Sequence, residues 1–208
     1  MSQASEFLLR APAWNLPEVA ACLPDTQDPR ILEAYRDAAA EMAAGVCSLP
    51  EARRHVYEAL QGMGYTATPE DKGTMRDFLH IPRMSSILAT LCGLAAGWAQ
   101  RKAGLLDIAN PGQELYRSIN SEHVQDWASR WAEAAAAVNW EGVARCGQMV
   151  ALKTSPIWVE LSRFGYPHPP FDFNSGMWVR PVSDDDCEAL GLLADEEWLD
   201  KQLAAAEE

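Results

Sequence analysis

Leu152 to Ser183 reads LKTSPIWVELSRFGYPHPPFDFNSGMWVRPVS, and ordinary helix packing does not account for it. Pro156, Pro167, Pro169, Pro170 and Pro181 each remove a backbone donor and fix φ, so no long helix runs through the segment. Between them lie Trp158, Phe164, Tyr166, Phe171, Phe173 and Trp178, enough apolar area to anchor a core or a contact surface. The pattern predicts two short strands, near Ile157–Leu161 and Met177–Pro181, joined by a rigid proline-aromatic loop. The upstream sequence then reads as a helical scaffold for this corner. The expected fold class is α+β, mostly helical, with a small C-terminal β-sheet.

Working outward, residues 1–27 carry Pro12, Pro17 and Pro24 with apolar residues between them, which predicts an extended N-terminal arm. Residues 28–208 read as one mostly helical domain. Asp28-Pro29 is a helix start, an N-cap carboxylate followed by proline, and Ile31, Leu32, Tyr35, Ala38, Ala39 and Met42 repeat at 3.6 residues. Gly45 closes that helix. Ser48-x-x-Glu51 is a capping box opening a second helix with Val56, Ala59, Leu60 and Met63 inside, so residues 28–80 form a helical pair. Thr68-Pro69 predicts a further short helix before a break at Pro82. A core helix is expected from about Ser85 to Ala103. Its Met84–Gln100 stretch is uncharged but short for a membrane span, and Ala89, Gly93 and Gly97 suggest a bare face for close packing.

Downstream, Asn110-Pro111-Gly112 is a turn, Glu114–Ile119 a possible short strand and Ser121–Val138 a helix. Val124, Trp127, Ala128, Trp131, Ala135 and Val138 share one face of that helix, and core packing is the favoured reading of its two tryptophans. Arg130 is expected either to face solvent or to pair with a carboxylate such as Glu114. Ser183 caps a helix with three aspartates in its first turn and Gly191 just past its end. Residues 195–208 close the chain with an amphipathic helix carrying Trp198, Leu199 and Leu203 on one side.

A formal net charge of -13 opposes binding to nucleic acid, whose affinity comes from lysine and arginine displacing counterions. Five cysteines, Cys22, Cys47, Cys92, Cys146 and Cys187, are scattered and never spaced C-x-x-C, as expected for reduced thiols in a cytoplasmic setting. No signal peptide is legible at the N-terminus. His55, His80, His123 and His168 stand far apart with no partner at a known ligand spacing, so no metal and no cofactor is expected. A thiol hydrolase would need Cys146 or Cys187 beside His168 or His123, oriented by Asp172. Neither cysteine lies in a nucleophile turn, and no phosphate-binding or metalloprotease motif occurs, so no catalytic residue is assigned. The rigid proline-aromatic corner suits internal packing and partner contact alike. Its expected partner contacts are Trp158, Tyr166, Pro169 and Pro170, together with Phe171, Phe173 and Trp178.

Met149–Trp158, MVALKTSPIW, followed by Tyr166–Met177, YPHPPFDFNSGM, resembles the C-terminal region of Mu-type phage head morphogenesis proteins. Three further patches stand upstream in the order of that family: Arg83, Ile87 and Thr90; Pro111 with Glu114–Arg117, ELYR; and Asp126–Trp131, DWASRW. The resemblance spans about residues 83–193. Two departures are Gln113, where the family often has tryptophan, and Phe173–Met177, where it often ends Gly-Cys-x-Cys. The resemblance implies a minor head protein of a phage or prophage, bound to portal, capsid or scaffold subunits, in the bacterial host cytoplasm and the virion. A cytoplasmic interaction module, of immunity or adaptor type, is the alternative.

Overall fold

The computed structural model describes residues 11, 14–118, 126–140, 148–193 and 197–207. The chain forms two compact units, Met1–Trp98 and Ala99–Glu208, so the segment read from the sequence as one domain is shared between them. The described helices that start in the first unit carry proline in their first turn. In α1 (Leu16–Cys22) Pro17 sits in the first turn, where its missing N–H costs nothing, so the expected extended arm is helical here. Residues 1–10, 12 and 13 lie outside the described residues.

Asp28 caps α2 (Pro29–Ala43) by accepting from the Arg30 N–H at 3.0 Å. Ile31, Leu32, Tyr35, Ala38 and Ala39 are buried, as the 3.6-residue period predicts. The helix stops where Gly45 takes φ 73°. Its N–H donates to the Met42 carbonyl (3.1 Å) and the Val46 N–H to the Glu41 carbonyl (2.9 Å), which satisfies two orphan acceptors. Then α3 (Leu49–Gly62) opens with the Glu51 carboxylate reaching back to the Ser48 N–H at 2.8 Å and its hydroxyl at 2.7 Å. These two helices pack on each other, with Ala52, Val56 and Leu60 buried.

Thr68-Pro69 starts only a turn. The Thr68 hydroxyl accepts from the Asp71 N–H (3.2 Å), but no helix follows, and the next residues are tied down by Tyr35 donating to the Phe78 carbonyl at 2.7 Å. Pro82 does not break the chain either. It lies in the first turn of α4 (Ile81–Leu105), which is longer at both ends than its apolar run suggests. Met84, Ile87, Leu88, Leu91, Leu94 and Ala95 are its buried stripe, whereas Ala89 is exposed and does not belong to a packed bare face. No helix among the described residues is long and apolar enough to cross a membrane.

The second unit is built on an antiparallel sheet ordered β2-β1-β3, from β1 (Gly112–Arg117), β2 (Val150–Leu152) and β3 (Met177–Val182). Gly112 pairs with both Leu152 and Val182, so β1 is the centre strand. No side chain fits at Gly112, because a Cβ there would collide with the Cys187 sulfur and lie 3.2 Å from Val182 Cβ. Alternation along the strands turns Leu115, Met177 and Val179 into the core and leaves Tyr116 facing Trp178 on the other side.

The expected strand at Ile157–Leu161 is a helix, α6, following α5 (Trp127–Ala137). Isoleucine, valine and leucine at alternate positions imitate a strand, but Ile157, Trp158 and Leu161 are fully buried while Val159 is 40% exposed, a 3.6-residue period. Pro156 in the αR region sets that turn. Trp127 and Trp131 enter the same core from α5, and part of the helix expected over Ser121–Val138 lies outside the described residues. Ser183 caps α7 (Asp184–Ala189) through the Asp186 N–H at 3.2 Å, and Gly191 follows with φ 72°. In α8 (Trp198–Glu207) the buried residue is Gln202, and Leu203 is 44% exposed, contrary to the apolar face read from the sequence.

Candidate functional site

Ser155 to Trp178 folds into a corner with an aromatic floor. Trp158 stacks on Phe171 with centroids 5.9 Å apart and meets Trp131 edge-on at 5.4 Å, and its indole N–H donates to the Leu152 carbonyl at 2.8 Å. Burying aromatic residues in offset and edge geometries, with the one polar group satisfied, fixes this floor rigidly. Trp158, Pro169 and Phe171, expected as contacts for a partner, are buried in it. Their role is support.

Asp172 clamps the loop from the side. Its carboxylate accepts from Arg130 Nη1 at 2.8 Å and lies 3.6 Å from Arg163 Nη1, and the Arg163 N–H donates to the Phe171 carbonyl at 2.8 Å. Arg130 thus pairs with Asp172, whereas Glu114 pairs with Arg180 across the sheet at 2.7 Å. Arg163 and Ser162, unremarked in the sequence, are central here: the Ser162 hydroxyl accepts from the Phe164 and Tyr166 N–H groups at 3.2 and 3.3 Å. A serine-arginine pair in a loop carries no spacing signal that marks this role.

Four of the expected contacts remain accessible. Tyr166, Pro170, Phe173 and Trp178 are part-exposed. Phe173 meets Phe164 edge-on at 5.0 Å under the Arg163 guanidinium, 5.3 Å from its ring, and Tyr166 stacks on His168. Trp178 stands apart on β3, on the sheet face turned from the core. That face bears an open cleft of about 630 Å³ bordered by Glu114, Arg180, Ser183 and Asp186.

The chain matches no family model, no curated protein and no solved structure.

Among the described residues, those weighed for thiol chemistry are not assembled. Burial pushes the Cys187 thiol up to about 11, and it donates to the Val182 carbonyl at 3.9 Å. His168 instead bonds the Pro169 carbonyl through Nδ1 at 3.0 Å; a carbonyl only accepts, so Nδ1 carries the proton. Burial lowers this imidazole to about 4, which keeps it neutral. Asp172, considered as an orienting carboxylate, is committed to two arginines. His123 and Cys146 lie outside the described residues.

Proposed function

We propose that this chain is a minor head protein of the Mu-type head morphogenesis class, which binds portal, capsid or scaffold subunits during procapsid assembly and works by binding without turnover. One observation carries the reading: the Tyr166–Phe173 loop is anchored from below by Phe171 on Trp158 and from the side by Asp172 on Arg130, yet keeps Tyr166, Pro170 and Phe173 part-exposed. A rim fixed in advance loses little entropy on docking, and tyrosine and arginine are the side chains that concentrate binding energy. The run of motifs from Arg83 to Met177, in the family's order, supports the choice of partner class. The net charge of -13 suits a subunit that docks on protein beside packaged DNA without adhering to it.

Co-expression with the portal, capsid and scaffold subunits of the same phage or prophage tests the proposal. The chain should co-purify with one of them, and the double substitution Tyr166→Ala with Phe173→Ala should weaken that association by on the order of tenfold or more while the circular dichroism stays unchanged. Absence of association with all three, or association indifferent to both substitutions, overturns it.

A further inference from the structure

We infer that the turn between α2 and α3 is a binding site for one borderline-soft divalent cation, Zn²⁺ foremost, held by Glu41, Cys47 and His55. A carboxylate oxygen, a thiol sulfur and an imidazole nitrogen from these residues lie within 4.8 Å of one another. Around one tetrahedral Zn²⁺, with bonds of about 2.0–2.3 Å, such atoms sit roughly 3.3–3.6 Å apart, so rotamer adjustments of about an ångström close the set. The fourth position falls on the open side, since Glu41 is exposed and Cys47 and His55 are half-buried, and water takes it.

The donor set selects the metal. Thiolate with imidazole suits Zn²⁺ and disfavours Mg²⁺ and Ca²⁺, which prefer oxygen ligands. Thiolate and carboxylate together neutralise the charge of the ion.

Placement is rigid because both flanks of the turn are closed. The bonds from Gly45 and Val46 end α2 just past Glu41, and the Ser48–Glu51 cap fixes the residue after Cys47. Facing across the helix pair, His55 Nδ1 already hydrogen-bonds Glu41 Oε2 at 2.8 Å. The cation takes the place of the proton between them. On binding, a sulfur–metal bond replaces S–H and that proton goes to solvent; the imidazole proton moves from Nδ1 to Nε2 through solvent, and no electron is transferred. The x5 and x7 spacings match no ligand motif, which is why the sequence alone does not reveal the set.

The full chain, purified under reductant and freed of metal with a chelator, is titrated with Zn²⁺ alone by calorimetry. One ion per chain should bind with a micromolar Kd or tighter and release about one proton at neutral pH, read from the dependence of the heat on buffer ionisation. Co²⁺ in its place should give a thiolate-to-metal charge-transfer band. Cys47→Ser and His55→Ala, part-exposed positions whose variants are checked for helicity, should each weaken binding by on the order of tenfold or more. No saturable uptake, a Co²⁺ spectrum without the sulfur band, or affinity unchanged in both variants overturns the site.

Discussion

His168 is the residue through which acid reaches the corner. Its ordinary value of 6.5 falls to about 4 in the fold, so between those values the unfolded chain binds a proton that the folded chain refuses. Its contribution is therefore complete above pH 6.5 and is lost as pH drops toward 4, by about 3 kcal/mol. Urea unfolding of wild type and His168→Gln, compared between pH 7 and pH 4, should show the excess loss in wild type only; parallel profiles would sink the assignment. Gly112 is the second residue on which much turns. Gly112→Ala should cost about 1–3 kcal/mol, since a methyl there runs into the Cys187 sulfur. Adding Cys187→Ala should return part of that loss and no more, because Val182 still crowds the position. Chemical denaturation of the single and double variants reads both numbers.

Among the elements, the end of α4 shows how distant parts of the chain complete one another. Its last carbonyls are capped by side chains: Lys153 donates to the Gly104 carbonyl at 2.7 Å and Gln202 to the Leu105 carbonyl at 2.9 Å, while Gln202 also reaches the Asp107 carbonyl just past the helix at 3.2 Å. A buried ammonium at the negative end of the helix dipole is favoured there although desolvation lowers its pKa. Gln202→Leu keeps the volume and removes the donor, so it should cost about 1–3 kcal/mol in a denaturation midpoint. This capping explains which parts of the fold are legible beforehand. Asp28, Ser48 and Ser183 announce their helices because each contacts a group within three residues of itself. Ile157–Leu161 misleads because its apolar pattern fits either period, and only the burial of Trp158 against Phe171 decides between them. In the corner the aromatic content is plain, but the division into floor and rim depends on Arg130 meeting Asp172 across 42 positions, which no local pattern encodes. Gln202 is the same case in reverse: a polar residue on an apolar-looking helix, buried because its partners lie nearly a hundred residues earlier.

At the scale of the whole molecule, charge makes the broadest claim. With thirty acidic side chains against seventeen basic ones, the chain should leave labelled duplex DNA free at about 0.1 M salt, where the Debye length is roughly 10 Å, as read by fluorescence anisotropy. Retention of DNA would contradict the proposal that this acidic surface keeps the chain off a packaged genome. Sheet order carries a different consequence, one in time. The centre strand β1 is made first, and its two neighbours come later, the second ending about 65 residues downstream. At elongation rates of about 5–20 residues per second, a nascent chain leaves at least one edge of that strand bare for roughly 3–13 s. During synthesis, then, Gly112–Arg117 is the segment most open to mispairing with another polypeptide, and a ribosome-associated chaperone has most to protect there.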